Sequence, residues 1–183
     1  RAGVPHEIVA DELQAHDVAV VDNQPPVEYG PGESPAQILE RLIKISTRPV
    51  VSSPRQYHPG TTVLVALDGS APAAKAIFGL LGSGLGSSRR VQVLTVDQHS
   101  KESAQSRAQR GLDYFRLHGV DAVFQPVVGD RPASEIICEE AERQRCELLV
   151  MGPHGRSAFA EFFFGSVTKE VIDHSTVPVF LYH

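Results

Sequence analysis

The chain has 183 residues, of which 42% are hydrophobic and 21% are charged, and its net charge is −5. This composition is ordinary for a folded globular protein and argues against disorder. The acidic balance argues against broad binding to nucleic acids or anionic membranes. No apolar run approaches the length of a membrane span and no signal-peptide pattern opens the chain, so we expect a cytoplasmic protein with no membrane or nucleic-acid partner.

Two further features bear on the origin and the redox state of the chain. The first residue is Arg1 rather than Met, and we expect the sequence to be a fragment, a processed form or the ordered part of a longer chain. The two cysteines, Cys138 and Cys146, form no CxxC motif. We expect reduced and partly buried thiols at both positions, as in a cytosolic protein.

Residues 1–53 contain only part of what a parallel sheet needs. An amphipathic helix is predicted just after Pro5, and short apolar strands are predicted at residues 18–21 and 49–52. Residues 25–35 are rich in proline and glycine, which predicts a mobile loop. Two such strands cannot form a buried parallel sheet alone, so either the preceding part of this domain is absent or the strands join another sheet.

Residues 54–60 have the composition of a linker, and residues 61–183 alternate apolar strands with helices. The predicted strands are 62–67, 91–96, 120–128, 148–151 and 179–182, and the predicted helices are 73–81, 103–118, 133–144 and 167–174. We expect Pro126 to interrupt the third strand near its end, and Ser70 or Asp68 to cap the first helix. The alternation predicts a doubly wound, open, parallel five-stranded sheet of Rossmann-like type.

The two parts of the chain resemble each other at an offset of about 130 residues. Each part has a helix that begins after a proline, a helix exit followed by an apolar strand, and a polar turn followed by a proline and a last strand. The matching segments are 7–9 with 135–137, 16–21 with 146–151, and 46–51 with 175–180. Three matches in order predict a duplication. Residues 1–53 are then the C-terminal third of a degenerate domain, and residues 61–183 are a complete domain.

The most informative motif is Gly152-Pro153-His154-Gly155, followed after nine residues by Gly165-Ser166. It joins a predicted strand to a predicted helix. Glycines at such a junction let backbone N–H groups approach an anion closely, and the N-terminus of the following helix favours a phosphate. The corresponding segment of the first part, residues 22–36, has an aspartate and prolines in place of the glycines. We therefore expect a phosphate site in the second part only.

The position of this motif in the predicted sheet supports a ligand site. Asp68, Val96 and Gly152 all lie at or just beyond the carboxyl ends of predicted strands. In an open parallel sheet, ligands bind at that edge, where the strand order reverses. The motif lacks the Gly-Lys-Ser/Thr of a Walker loop and does not match GxGxxG. It predicts a phosphate cradle made in two parts.

Four motifs occur in order in residues 61–183. They are Asp68-Gly69-Ser70, Gly129-Asp130-Arg131-Pro132, Gly-x2-Gly-x9-Gly-Ser at 152–166, and the ending Ser175-Thr176-Val177-Pro178-Val179. On these motifs the segment resembles the universal stress protein family, which implies an adenine nucleotide α-hydrolase-like fold. The first part resembles the last third of another such domain. The whole chain looks like a tandem universal stress protein whose first domain is incomplete.

The resemblance implies an ATP site. Nucleotide-binding members of the family hold the phosphates with the glycine motif, which here comprises Gly152, Gly155, Gly165 and Ser166. The resemblance also implies that Asp68 lies near the ribose and adenine and that the backbone of Val96 contacts the adenine. His154 and Arg156 lie inside the motif, where cations would help to neutralise a triphosphate, and Mg²⁺ would bridge its phosphates.

Each of these residues has a structural alternative. Gly152 and Gly155 alternatively serve only a tight turn after the strand. Asp68 is alternatively only a helix cap, and Val96 belongs to the core in either case. The two basic residues of the motif are alternatively solvated loop residues.

The interior of the motif departs from a simple glycine-rich loop. Phe162-Phe163-Phe164 is more typical of an apolar plug beneath the loop, or of a subunit contact, than of an adenine platform. Residues 158–161 are Ala-Phe-Ala-Glu, where family members with this motif often have further small residues. Glu161 brings negative charge close in sequence to the expected triphosphate.

The sequence contains no recognisable catalytic set and no acidic cluster for metals, so at most weak ATP hydrolysis is expected. The favoured hypothesis is a stress-response or regulatory protein in which ATP biases conformation or assembly. The alternative is an interaction module that binds no nucleotide and whose last strands, 50–51 and 179–181, pair edge to edge. Because the family commonly dimerises through its last strand, this alternative implies a homo-oligomer or an internal pseudo-dimer. A weaker third hypothesis is a relative of adenylate-forming enzymes or pyrophosphatases.

Overall fold

A computed structural model describes residues 4–23, 35–56, 59–86, 89–155 and 164–183. The helices are α1 (Pro5–Glu12), α2 (Pro35–Ile45), α3 (Ala71–Gly82), α4 (Lys101–Leu117), α5 (Ala133–Arg143) and α6 (Ser166–His174). The strands are β1 (Ala19–Asp22), β2 (Val50–Ser53), β3 (Thr62–Ala66), β4 (Arg90–Asp97), β5 (Ala122–Val128), β6 (Cys146–Met151) and β7 (Val179–Leu181). A short 3₁₀ turn, Leu13–Ala15, follows α1. The predicted mobile loop at 25–35 lies outside the described residues, except for Pro35, which begins α2.

The seven strands form one sheet in the order β1-β2-β7-β6-β3-β4-β5. The five strands from β7 to β5 are parallel to one another. The predicted parallel five-stranded sheet is therefore confirmed. The central strand β3 is an almost continuous buried apolar run because helices cover both of its faces, whereas the edge strand β5 is partly exposed.

The helices pack on the two faces of this sheet and enclose two apolar cores. One core lies beneath α1, α2, α5 and α6, and the other beneath α3 and α4. Leu149 of β6 is fully buried in the first of these cores, and Phe115 of α4 is fully buried in the second. The doubly wound arrangement predicted from the alternating elements is thus confirmed.

The strands of the N-terminal segment join the same sheet. Strand β2 pairs antiparallel with β7, and Val51 faces Phe180 across this pair. Strand β1 then pairs parallel with β2 and forms one edge of the sheet. The strands of the N-terminal segment therefore join another sheet, as one of the expectations from the sequence had it. That the segment is a partial copy of the domain stays a prediction.

The structure corrects the prediction at Pro126. This proline does not interrupt its strand, because β5 continues through it and pairs Pro126 with Thr95 of β4. The amide of Gly129 donates to Asp97 O, at 3.2 Å, so odd-numbered residues of this stretch direct their amides toward β4. The nitrogen of Pro126 consequently faces the open edge of the sheet, where a proline removes no ladder hydrogen bond.

The other differences concern the boundaries of elements. Helix α4 begins at Lys101, two residues before the prediction, because the hydroxyl of Ser100 accepts a hydrogen bond from the amide of Ser103 and caps the helix. Strand β6 likewise begins two residues earlier than predicted, at Cys146. Helix α2 is an addition to the predicted elements.

Both cysteines are free thiols in the structure, Cys138 half-buried and Cys146 buried. Burial raises the pKa of each thiol to about 11, with neighbouring glutamates acting in the same direction. Such thiols are protonated near neutral pH and are poor nucleophiles. Among the described residues, no helix is long and apolar enough to cross a membrane.

The buried side chains of β2 should contribute more to stability than the exposed side chains of β1. Val50 is fully buried in the core shared by the two parts of the chain, whereas Val20 is 67% exposed. We predict that Val50→Ala lowers the free energy of unfolding by roughly 2 kcal/mol, through lost apolar burial and a residual cavity. The matched change Val20→Ala should alter it by less than about 0.5 kcal/mol. Urea denaturation of the three proteins measures both values, and equal effects would contradict the described packing of β2.

Candidate functional site

A cavity of about 340 Å³ opens at the carboxyl ends of β3, β4 and β6. Its volume lies within the range found for small-molecule sites. The chain runs from β3 outward to β4 and β5 and then returns to β6 on the other side of β3, so the strand order reverses between β3 and β6. The cavity is therefore at the topological switch point, where open α/β sheets bind ligands.

The structure brings together seven of the eight residues predicted for the site. The cavity wall includes Asp68, Val96, Gly152, His154, Gly155, Gly165 and Ser166. The eighth, Arg156, lies outside the described residues, as do Glu161, Phe162 and Phe163. The residues come from four separate stretches of the chain, and the parallel sheet gathers them because its strands all end at this edge.

Gly152 is required by packing as well as by access to the cavity. A Cβ atom at this position would lie 2.7 Å from the amide nitrogen of Ala73 and 2.8 Å from the carbonyl carbon of Pro72. Those atoms are backbone and belong to the first turn of α3, so they cannot move aside without shifting the helix. The structure thus adds a specific packing constraint at this glycine, the close approach of β6 to α3.

The remaining two glycines have more space around them. A Cβ at Gly155 would lie 3.0 Å from the carboxylate oxygen Oδ2 of Asp68, and a Cβ at Gly165 would come no closer than 3.4 Å to His154. Glycine at position 155 therefore keeps the surface beside Asp68 free of side-chain atoms. This leaves room for a ligand between the glycine loop and the end of β3.

The N-terminus of α6 directs backbone donors into the cavity. Gly165 is the N-cap, and no side chain makes a capping hydrogen bond there in the part of the chain that the structure describes. The amide of Gly165 donates to the carbonyl of Pro153 at 3.0 Å, which fixes the loop against the helix start. The first amides of a helix have no intrahelical acceptor and lie at the positive end of its dipole, so this end favours an anion.

Thr168 connects the same helix to the end of β6. Its hydroxyl is buried and donates to the carbonyl of Gly152 at 3.1 Å. This hydrogen bond ties the first turn of α6 to the chain directly after β6, and both border the cavity.

Asp68 and Ser70 both make hydrogen bonds that stabilise the turn after β3. The hydroxyl of Ser70 accepts from the amide of Ala73 at 3.2 Å, so Ser70 is the N-cap of α3. The carboxylate of Asp68 accepts from the amide of Ser70 at 2.9 Å through Oδ1. Its other oxygen, Oδ2, lies toward Gly155. Asp68 thus stabilises the turn and also presents a carboxylate oxygen beside the cavity.

The backbone of β4 extends past the end of β3 and faces the cavity. The carbonyl of Leu94 accepts from the amide of Leu67 at 2.9 Å, so the backbone groups of Leu94 face β3. Backbone groups alternate sides along a strand, and the registered pairing of β3 with β4 ends at Ala66 and Leu94. The peptide N–H and C=O of Val96 consequently face the same side as those of Leu94, beyond the end of β3, where the cavity lies.

The wall near β4 is apolar. Leu94 and Val96 come from the strand, and Ala133 and Ile137 come from α5. The cavity therefore has two chemically different ends, an apolar end at β4 and α5 and an end with backbone donors at the glycine loop and α6.

A buried carboxylate fixes the loop between β4 and α4. The Asp97 carboxylate accepts from the Ser103 hydroxyl and the His99 amide, both at 2.7 Å, and it contacts Arg107 at 2.9 Å. The hydrogen bond from Ser103 is the largest of the effects that lower the pKa of Asp97 to about 2. This ionised group holds the chain directly after Val96 in place.

His154 is a basic residue of the glycine loop, and it lies half-buried on the cavity wall. Burial lowers the pKa of His183, and the charges of Lys75 and His154 act in the same direction.

Phe164, the one residue of the Phe triplet that the structure describes, packs against the apolar core that includes α2 and α6. Among the described residues, no group of three His, Cys, Asp or Glu side chains is arranged to hold a metal ion.

Several residues of the cavity wall are additions to the predicted set. They include Leu94, Ala133, Ile137, Met151, Val167 and Thr168. Their signal in the sequence is weak because apolar residues of strand ends and first helical turns occur in every core. Only the topology, which puts the start of α5 over the end of β4, distinguishes them.

Comparisons with known proteins agree on one family. A family model described as the universal stress protein family matches residues 86–183. A universal stress protein of Synechocystis sp. is 32% identical over 143 residues, which cover 77% of this chain and 49% of that protein. The chain spans about half the length of the curated relatives it matches.

Solved structures of universal stress proteins have a similar fold. One from Archaeoglobus fulgidus aligns with a TM-score of 0.66 at 18% identity, covering 97% of this chain and 64% of that one. Another, solved in complex with cAMP, aligns with a TM-score of 0.53 at 24% identity, covering 67% of this chain and 97% of that one. At these identities the likeness concerns the fold.

The buried Asp97 should make stability depend on pH in the acid range. Its folded-state pKa of about 2 lies below the value near 3.9 of an unfolded aspartate. The stabilisation is therefore fully present above about pH 4 and is lost as the pH falls toward 2. We predict that Asp97→Asn flattens the dependence of unfolding free energy on pH between about 5 and 2. Asp113→Asn, at an exposed ion pair, controls for the loss of one charge, and an identical flattening in both variants would contradict this assignment.

Proposed function

The chain belongs to the universal stress protein family, and from this membership and the geometry of the cavity we propose that it is a stress-response or regulatory protein that binds ATP. The proposed contacts are the Gly-x2-Gly-x9-Gly-Ser residues Gly152, Gly155, Gly165 and Ser166 for the phosphates, with His154 and Arg156 as neighbouring cations. Asp68 is proposed for the ribose and adenine, and the backbone of Val96 for the adenine.

The single observation that carries the proposal is the division of the cavity into an apolar end and an end with backbone donors. Leu94 and Ile137 belong to the first, and Gly155 and Gly165 to the second. A nucleotide has the same division, because its base is flat and largely apolar on its faces whereas its phosphates are anionic. Apolar walls with few converging polar groups are typical of small-molecule sites.

The glycine end suits a phosphate in both space and charge. Because Gly155 has no Cβ, a ligand can approach the backbone of the loop on the side that faces Asp68, and residues 166–168 of the first turn of α6 line the same cavity. Mg²⁺ commonly binds through nucleotide phosphates together with one or two carboxylates, and Asp68 supplies a carboxylate at this cavity. We therefore propose that Mg²⁺ accompanies the nucleotide, where it would neutralise phosphate charge. The universal stress protein solved with cAMP supports an adenine nucleotide as the class of ligand.

The second candidate function is that of an interaction module, and the pairing of β2 with β7 favours it. In this pair Val50 faces Leu181 and Ser52 faces Val179, so the last strand of each part meets the other within one chain. We propose that residues 1–53 and 61–183, joined by a linker at 54–60, form an internal pseudo-dimer. The edge of β7 is then covered by β2 rather than by a second chain. This role is compatible with ATP binding in the second part.

A negative charge placed in the glycine loop should weaken nucleotide binding. In Gly155→Asp, a carboxylate would stand beside Asp68 in the space proposed for phosphate, and we predict that the affinity for labelled ATP with Mg²⁺ falls at least about tenfold. Gly82→Asp is the matched control, because it adds the same charge on α3 at a position with nothing within 4 Å of a Cβ. Equilibrium dialysis measures both.

Two results would overturn the proposal. One is an absence of ATP binding by the unaltered chain at millimolar nucleotide. The other is equal binding by the unaltered chain and Gly155→Asp. Thermal melts with and without nucleotide provide a second measurement, because a ligand that binds the folded state alone raises the midpoint of unfolding.

A further inference from the structure

Glu40, on α2 of the N-terminal segment, contacts the glycine loop of the proposed site. Its carboxylate oxygen Oε1 accepts a hydrogen bond from the amide of Phe164 at 2.9 Å, although the two residues are 124 positions apart. We infer that Glu40 is a positioning residue for this loop, so that nucleotide binding in the second part of the chain depends on α2 in the first. The inference rests on the proposed function.

This hydrogen bond lies directly before the helix whose N-terminus borders the cavity, so it can affect the geometry of the site. Phe164 directly precedes Gly165, the N-cap of α6, whose own amide donates to the carbonyl of Pro153 at 3.0 Å. Two consecutive amides are therefore held, one by the loop itself and one by α2. Together they fix how the chain enters the helix whose first amides face the cavity.

Helix α2 is a firm support for this contact. Its residues Leu39, Leu42 and Ile43 are 3–4% exposed and belong to the same apolar core as Val171 of α6. Phe164 packs against that core. A small pocket of about 20 Å³ lies between α2 and the loop residues Pro153, His154 and Phe164. Because packing holds both partners, the hydrogen bond orders the backbone at Phe164, directly before the N-cap of α6, before any ligand arrives, which lowers the entropy lost on binding.

The negative charge of Glu40 allows positioning to be distinguished from simple electrostatics. A carboxylate near a triphosphate repels it, so removing the charge alone would strengthen binding. Removing the hydrogen-bond acceptor would release the amide of Phe164 and loosen the loop, and so weaken binding. Glu40→Ala removes both the charge and the acceptor. Glu40→Gln removes the charge and keeps an acceptor oxygen of similar geometry.

Positioning of this kind couples the two parts of the chain. If the docked α2 favours the loop conformation that binds nucleotide, then bound nucleotide must favour the docked α2 to the same extent. The N-terminal segment, which lacks the glycine motif, would thereby regulate the site of the second part. A partner that displaced α2 would release the nucleotide.

The test compares the unaltered chain with Glu40→Ala, Glu40→Gln and the control Glu7→Ala, an exposed glutamate on α1. Binding of labelled ATP with Mg²⁺ is measured for each, and amide hydrogen exchange of residues 164–168 is measured without nucleotide. We expect Glu40→Ala to weaken binding about tenfold, equivalent to about 1.4 kcal/mol, and to speed exchange at Phe164. Glu40→Gln should restore both to within about twofold, and Glu7→Ala should change neither. Alanine favours helices, so α2 is expected to stay folded.

The outcomes separate this inference from the proposed function. Unchanged ATP affinity in Glu40→Ala, or tighter binding in both Glu40 variants, overturns the positioning role while ATP binding stands. If the unaltered chain binds no ATP, the proposed function fails, and the exchange data alone decide whether Glu40 orders the loop. Equal exchange at Phe164 in all four proteins overturns that ordering.

Discussion

The antiparallel pairing of β2 with β7 is the contact on which the arrangement of the whole chain depends. It continues a parallel sheet with two strands from the other end of the sequence, and it buries Val50 and Phe180 completely. Helix α2 lies between β1 and β2 in the chain and packs on the face of the sheet that α5 and α6 also cover. The strand pair thus keeps α2 on the same face as α6, the helix that follows the glycine loop.

The cavity follows from the topology of the remaining strands. Because the chain leaves β3 in one direction and returns to β6 in the other, no crossover covers the gap between the carboxyl ends of these two strands. What keeps the gap open is local, since the close approach of Gly152 to Ala73 brings β6 and α3 together without a side chain between them. A larger residue there would push apart the two elements that form the floor of the cavity.

Much of the fold could be predicted from the sequence because apolar runs and helix caps are local signals. The five parallel strands and the residues at their carboxyl ends followed from such signals, and so did the gathering of Asp68, Val96 and the glycine motif around one cavity. The continuity of β5 through Pro126 did not, because it depends on which edge of the strand is unpaired. Helix α2 was also missed, although its buried residues Leu39, Leu42 and Ile43 recur at helical spacing. Its contact through Glu40 was missed because a hydrogen bond across 124 residues leaves no periodic trace.

The contact from Glu40 changes what the absence of the glycine motif from residues 22–36 implies. Loss of a phosphate motif in one part of a chain would ordinarily free its surrounding residues from any role in ligand binding. Here α2, which begins at the end of this segment, packs against the same apolar core as Phe164 and bonds to its backbone. A segment without a phosphate motif can thus still supply residues on which a neighbouring site depends. On this argument, the N-terminal segment is best understood as a support for the proposed nucleotide site, because it contributes structure although it carries no such motif.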